Sequence, residues 1–415
     1  MCAQVRLLIA ARAVNQLGAF SLAFLTVLLC RSFGASLATA GAVSAAFGLA
    51  TIPSRLLGGR LADRLGRRRT ILTGLVGCAG AQLGIAAAPG LAVAASCAVL
   101  LGLAFELYEP PSQAMIADAV APPDRAAAYA LLTMALAVGN TGAGLLAAVI
   151  GQSSLRWLFV IDAATCLACA LVVAIVVPAD QRDQRPATTA GNDAHATRAS
   201  SPWRDRSLLA MTAAGTVFAL IYMLLLVSLP LSLSAHGRNP ASAGLVMAVA
   251  TLALVLGRPL LRTRPLAQLG NEAAFAAGYL LMGIGLAGYA LAGSLPALVT
   301  PTVAWSLGNL LLSGRAFAVV TGLAPAGASA RYLAVYGLSW GVATVAAPVL
   351  GTQLIGSFGP GTLWAVAAAL CLTMAGVQPR LLRWLAGQAG SAAAVRFSPP
   401  VHSSTVPVTK LAPDR

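Results

Sequence analysis

The chain has 415 residues, of which 58% are hydrophobic and only 9% charged, and its mean hydropathy is +0.82. A soluble protein carries about a quarter charged residues, so the composition excludes a soluble globular fold and points to a polytopic membrane protein. The net charge of +15 invites a nucleic-acid reading, which the placement of the charges along the chain rejects.

Crossing about 30 Å of hydrocarbon takes about 20 apolar residues in a helix. Twelve such segments follow one another: 7–29, 38–58, 70–88, 92–112, 127–150, 157–178, 207–232, 242–261, 272–293, 297–320, 331–354 and 361–382. They read as helices, because unpaired backbone amides are costly in lipid, and the alternating polarity of a barrel strand is absent. Gly, Ala and Ser recur inside them, as close helix packing in lipid requires.

With the N-terminus inside, most arginines fall on one side, among them Arg60, Arg64, Arg67, Arg68, Arg69, Arg125, Arg262 and Arg264. The opposite loops keep only Arg31, Arg156 and Arg238. This is the positive-inside bias, and it predicts cytoplasmic termini in the inner or plasma membrane. Attraction to anionic membrane lipids follows from the same charges. No nucleic-acid partner is expected.

Residues 179–206 interrupt the apolar pattern with Ala-Asp-Gln-Arg-Asp-Gln-Arg-Pro and a Thr/Ala/Ser stretch. A linker is predicted there. The predicted organisation is an N-terminal six-helix bundle (1–178), a cytoplasmic linker (179–206), a C-terminal six-helix bundle (207–383) and an unstructured cytoplasmic tail (384–415). The halves echo each other at an offset of about 200 residues, as parallel repeats do. Gly58-Gly59-Arg60-Leu61 is answered by Gly257-Arg258-Pro259-Leu260, and Ala121-Pro122-Pro123-Asp124-Arg125 by Ala324-Pro325 and Arg331.

Between the second and third segments, residues 59–68 read Gly-Arg-Leu-Ala-Asp-Arg-Leu-Gly-Arg-Arg. Topology needs the arginines but not the carboxylate, so Asp63 demands another reason. Near the end of a helix its charge opposes the dipole and has to be held by another group. The stretch resembles the signature loop of the major facilitator superfamily, G-x-x-x-D-R-x-G-R-[RK], and fills each specified position. That resemblance implies an all-α fold of twelve transmembrane helices in two pseudo-symmetric six-helix bundles. It also implies a cytoplasmic latch between the halves formed by Gly59, Asp63, Arg64, Gly66, Arg67 and Arg68. Segments 1 to 5 look most like bacterial multidrug-efflux, drug:proton antiporter members. The chain departs from them in lacking an Arg midway along span 4 and a Gly-Pro pair in span 5, where Gly139-Asn140-Thr141-Gly142-Ala143-Gly144 stands.

Ionisable groups inside spans are costly and are functional candidates. Arg12, Glu106, Glu109, Asp162 and Arg315 form that set. Glu106 and Glu109, three apart, would share a helix face. Glu106 and Arg12 lie at similar depths, about 9 and about 8 Å from the cytoplasmic ends of their spans. Glu106, Glu109 and Arg12 are therefore the candidates for proton coupling. Arg315 is the inner-gate candidate, through a contact with one of the glutamates, and Asp162 is read as a partner for Arg156 or a helix-terminal charge. Asn15, Gln16, Asn140, Asn309 and Trp305 are the candidates for touching substrate, with Tyr108, Phe20, Phe24 and Phe317 as further aromatic wall.

Cys166 and Cys169 form a C-x-x-C on an apolar helix with no His nearby, so they are read as packing residues. No cofactor or metal is expected. No enzyme is expected either, since no nucleophile and base or metal cluster falls within the spans. No G-x-x-x-x-G-K-[ST] occurs, so ATP does not drive the protein directly. The function predicted is secondary transport by alternating access, working as a monomer. It exports lipophilic small molecules against proton entry, a multidrug-resistance type of efflux. Two rivals fit the same sequence: a proton-coupled importer of a small nutrient, and a non-transporting sensor that kept the fold.

Overall fold

The computed structural model describes residues 3–18, 21–108, 111–112, 115, 125–177, 202–325 and 329–396. The first half holds α1 (Ala3–Leu17), α2 (Ser21–Phe33), α3 (Leu37–Leu65), α4 (Arg67–Ala87), α5 (Leu91–Phe105), α6 (Arg125–Ile150) and α7 (Arg156–Val176). The second holds α8 (Arg206–Ala235), α9 (Ala243–Gly257), α10 (Asn271–Leu291), α11 (Val299–Leu323), α12 (Ser329–Phe358) and α13 (Pro360–Arg396). Among the described residues nine helical stretches are long and apolar enough to span a membrane, and three shorter apolar helices, Ala23–Phe33, Leu91–Phe105 and Met134–Ile150, complete twelve crossings. The protein is an all-α, multi-pass membrane protein.

Local chemistry sets several helix ends. Ser36 caps α3 by accepting the Thr39 amide at 3.1 Å. Asp205 caps α8 by accepting from Ser207 and Leu208, satisfying donors that a helix start leaves open. Tyr332 of α12 donates to the other oxygen of Asp205 at 2.7 Å, tying two helices of the second half together.

Four features differ from the sequence expectation. Span 1 is broken: α1 ends at Leu17 and α2 begins at Ser21. Gly18 lies against the Asp162 backbone and the Thr165 side chain, where a Cβ has no room. The motif between spans 2 and 3 is no loop. Helix α3 carries it through Leu65, and one residue, Gly66 (φ 91°, ψ 158°), makes the turn into α4. Gly59 is thus helical, and Gly66 alone does the turning assigned to both glycines. Span 4 stops being helical at Phe105, leaving Glu106 as its C-cap. Pro110 and Pro111 have no amide hydrogen to give the carbonyls of residues 106 and 107, so the helix cannot run on unchanged. Lastly, α13 continues to Arg396, well past residue 382. The residues 178–201 and 397–415 lie outside the described residues.

In each half, the third and sixth crossings pack together, α4 on α7 and α10 on α13. The halves meet through α3 with α12, α6 with α9 and α2 with α8. Under the repeat, α3–α12 and α9–α6 are the same pair seen twice. Their close approaches lie toward the face opposite the Gly66 turn. Gly41 abuts Pro348 and Thr352, Gly48 abuts the Thr344 backbone, and Gly144 and Gly244 meet face to face. Arg31, at the end of α2, donates to Ser234 Oγ at 3.0 Å and to the Arg238 carbonyl at 3.4 Å. The two halves are therefore clamped at the face that carries Arg31 and Arg238.

Candidate substrate cavity and gates

A cavity of about 300 Å³ lies between the halves. Its wall takes Gln16 from α1, Phe24 from α2, Phe105 from α5 and Asn140 from α6, and faces Tyr222 of α8, Thr251 of α9, Tyr289 of α10 and Trp305 of α11. Among the described residues none of those lining it is charged. The volume sits at the lower end of the ~300–1,000 Å³ range of small-molecule sites.

Three of the five predicted substrate contacts reach this wall: Gln16, Asn140 and Trp305. Gln16 Nε2 donates to Asn140 Oδ1 at 2.7 Å, joining α1 to α6 at the cavity edge. Asn15 does not line it. It points the other way, donating to Cys166 Sγ at 3.2 Å and accepting from the Tyr108 hydroxyl at 3.3 Å. Asn309 is buried and also stands apart from the wall. One residue's step along a helix turns a side chain by about 100°, which is why Asn15 and Gln16 serve different sites.

The aromatic wall is richer than expected. Tyr222 packs between Trp305 (tilted, centroids 5.4 Å) and Trp340 (edge-on, 5.3 Å). Of the aromatics named from sequence, Phe24 and Trp305 line the cavity. Tyr108 instead lies under the Arg12 guanidinium, 4.9 Å from its centroid. Phe317 is exposed and edge-on to Tyr336, and Phe20 lies outside the described residues. A second crevice of about 490 Å³, lined chiefly by aliphatic side chains, lies behind Val246 between α6, α9 and the start of α11.

Glu106 lies past the last turn of α5 and not on its helical face. Its amide donates to Ser54 Oγ at 3.1 Å, and its carboxylate sits 3.9 Å from Arg55 of α3. Glu109 lies outside the described residues. Arg12 is buried. Arg315 serves its own half: it donates to the Leu269 carbonyl at 2.7 Å, the Leu266 carbonyl at 3.1 Å and Asn271 Oδ1 at 3.4 Å. With the halves clamped at the opposite face, Arg315 makes no contact across to the first half among the described residues.

In the motif, Arg68 at the start of α4 donates to the Ala174 carbonyl at 2.5 Å. That places a cation on the C-terminal end of α7, where the helix dipole welcomes it. Arg64 is exposed in the last turn of α3, and Arg67 opens α4. The side chains of Gly59's neighbours Arg60 and Asp63 lie outside the described residues. Asp162 proves to be neither terminal nor paired to Arg156. It is 4% exposed and 3.8 Å from Cys166 Sγ. Arg156 instead donates to the Ala86 carbonyl at 3.2 Å and lies over Phe33. Cys166 is thus part of a polar contact and does more than fill space. No group of three or more metal-ligating side chains occurs among the described residues.

Two six-helix halves around a central cavity, clamped at one face, define a membrane transporter. A family model described as the Major Facilitator Superfamily matches residues 8–263, and the chain belongs to that superfamily. It is a transporter and not an enzyme. The chain is 28% identical over 337 residues to the uncharacterized MFS-type transporter YhjO of Bacillus subtilis (strain 168), covering 78% of each chain. It is 27% identical over 281 residues to the multidrug resistance protein MdtH of Salmonella arizonae, covering 67% of each. Among solved structures it resembles the POT family transporter PepTSo, with a TM-score of 0.76 at 14% identity, covering 94% of this chain and 99% of that one. It also resembles the nucleoside transporter NupG, with a TM-score of 0.73 at 14% identity over 91% and 99% of the two chains. Both structural likenesses are likenesses of fold.

Proposed function

We propose that the protein exports lipophilic, drug-like small molecules by alternating access, driven by proton entry. The carrying observation is the uncharged, aromatic-lined cavity between the halves. A strongly polar nutrient pays to leave water and needs several convergent polar partners in return. This wall offers few: Gln16 and Asn140, already bonded to each other, Thr251, and the hydroxyls of Tyr222 and Tyr289. An apolar or weakly cationic cargo loses little there and gains stacking on Tyr222 and Trp305. The relationship to MdtH, named a multidrug resistance protein, supports the same reading.

In this reading the Gly66 face is cytoplasmic and the protein sits in the inner or plasma membrane. The halves are residues 1–178 and 207–383, joined by a cytoplasmic linker at 179–206, and α13 carries the chain beyond 383 to Arg396. The conformation described is then open inward. Asp63, Arg64, Gly66, Arg67 and Arg68 re-engage the second half when the inner side closes, and Arg315 contributes to that closure. Glu106, Glu109 and Arg12 are the ionisable residues that the sequence offers on the first and fourth spans, and the protein works as a monomer.

The test is proton movement in liposomes holding the purified protein under an imposed pH gradient. Lipophilic cations, neutral lipophiles, peptides and nucleosides are added in turn. Proton flux triggered by the lipophiles supports the proposal. Flux triggered only by a polar nutrient overturns it in favour of import, and silence with all of them leaves proton-driven lipophile export without support.

A further inference from the structure

We propose that Asp162 is a proton-binding carboxylate that reports its charge to the broken first span. The inference rests on the proton-coupled reading above and supplies the site that the uncharged cavity lacks. Asp162 lies on α7 about 9 Å in from that helix's start, 4% exposed. A carboxylate at such depth is held by specific polar neighbours and marks a functional site.

Those neighbours form a continuous chain through the first half. Cys166 Sγ faces Asp162 Oδ1 at 3.8 Å. Asn15 donates to Cys166 Sγ at 3.2 Å, and Tyr108 donates to Asn15 Oδ1 at 3.3 Å. The Tyr108 ring lies beneath Arg12. The chain therefore runs from a buried acid to a buried guanidinium, across three crossings. Its middle member, Asn15, adjoins Gln16 on the cavity wall.

The break in span 1 is built against the acid itself. Gly18 packs on the Asp162 backbone and on Thr165. The Thr165 hydroxyl reaches the Asp162 carbonyl at 2.9 Å and the Asn15 carbonyl, at the end of α1, at 3.4 Å. Any shift of Asp162 is felt at the joint between α1 and α2.

Further groups face Asp162 from the neighbouring helices. From α4 comes Cys78, within the field of both Asp162 and Glu106. From α1 come Asn15 and, further along, Arg12, whose field reaches Cys169. Helix α2 brings Cys30 and Arg31 only at its far end, and Arg156 on α7 itself is engaged with Ala86. When a proton binds, the carboxylate becomes a neutral acid, no other bond breaks, and its attraction for the Asn15–Arg12 end of the chain is lost. Helix α1 is then free to swing about Gly18, moving Gln16 at the cavity edge.

The experiment uses the full chain, purified and reconstituted, as wild type, Asp162→Asn and Glu106→Gln. Infrared difference spectra across pH should show a protonated-carboxyl band that fades as pH rises in wild type and Glu106→Gln and is missing in Asp162→Asn. Under a pH gradient, one-for-one exchange accumulates cargo about tenfold per pH unit. Asp162→Asn should lose that accumulation while still equilibrating cargo, and Glu106→Gln should keep it. An unchanged band in Asp162→Asn, or retained accumulation, overturns the inference. A band that depends on Asp162 in a wild type that ignores the gradient leaves proton binding standing and sinks the proton-driven reading instead. If Asp162→Asn does not fold, Asp162→Glu substitutes, and a band that does not move in position overturns the assignment.

Discussion

Gly144 of α6 and Gly244 of α9 lie face to face, each with the other's carbonyl oxygen where its own side chain would be. The contact lets two helices from opposite halves touch backbone to backbone at the clamped face. A methyl there meets main chain, which cannot rotate away. Gly144→Ala should cost the clamped state about 1–3 kcal/mol by overpacking, a bias of about 5- to 150-fold toward the alternative state. The check is labelling of a cysteine introduced at Thr251, on the cavity wall, by an impermeant reagent applied at the clamped face. Labelling should accelerate in Gly144→Ala, and an unchanged rate would mean that the contact does not hold the halves.

Gly66 makes the turn from α3 to α4 at φ 91° and ψ 158°. This is a glycine-only region, distinct from the left-handed helical region that Asn tolerates. Gly66→Ala should lower stability by about 1–3 kcal/mol, and Gly66→Asn should fare no better. Melting midpoints in detergent decide it. Rescue by Asn would show that the turn relaxes to an ordinary left-handed geometry.

Tyr222 is held between Trp305 and Trp340, and two of the three face the cavity. Tyr222→Ala should weaken binding of a lipophilic cargo by about 0.5–1.5 kcal/mol, the worth of an aromatic pair. Tyr222→Phe should bind nearly as wild type, since the ring and not the hydroxyl does the stacking. Quenching of tryptophan fluorescence on titrating the cargo measures both. A Phe variant as weak as Ala would assign the effect to the hydroxyl.

Crossing number and helix identity were legible in the sequence, because each depends on the length and composition of a segment. What was not legible depends on the rotation of a helix about its axis. Asn15 and Gln16 looked equivalent from depth alone, yet one serves the Asp162–Cys166 contact and the other the cavity. From sequence Asp162 reads as a partner for Arg156 or a helix-terminal charge, while the packing turns Arg156 toward Ala86 and Phe33. Tyr222 and Trp340 gave no periodic signal, since aromatic residues in apolar spans are common and only tertiary packing stacks these. Two misreadings did have signals. Pro110-Pro111 removes two successive helix donors and disfavours an unbroken helix at the end of span 4, and Gly18 beside Leu17 marks the break in span 1. The helical course of residues 59–65 had a weaker one: Leu61 and Leu65 continue the apolar spacing of span 2.

Arg31 joins the halves through Ser234 Oγ and the Arg238 carbonyl, but it does so in the open. Hydrogen bonds between exposed groups exchange with water at little net gain. Arg31→Ala and Ser234→Ala should each shift labelling at Thr251 far less than Gly144→Ala. Their double-mutant coupling should stay below about 1 kcal/mol. A coupling of several kcal/mol would move the clamp from the glycine contact to the arginine.

Asn140 accepts a hydrogen bond from Gln16 at 2.7 Å on the wall of a cavity whose lining, among the described residues, carries no charge. Asn140→Asp keeps an acceptor for Gln16, so the α1–α6 contact should survive. The same change puts a carboxylate where the wall had none. If absence of charge selects the cargo, this variant should gain affinity for lipophilic cations and lose it for neutral lipophiles. At the modest effective dielectric of such a site, one charge a few ångströms away is worth several kcal/mol before desolvation is counted. Desolvation takes much of that back, so a net change of about tenfold in the ratio of the two affinities is the expected result. Competition binding with one cationic and one neutral probe measures the ratio directly. A ratio that does not move would mean that cargo binds away from Asn140, and the central cavity would lose its place as the site of selection.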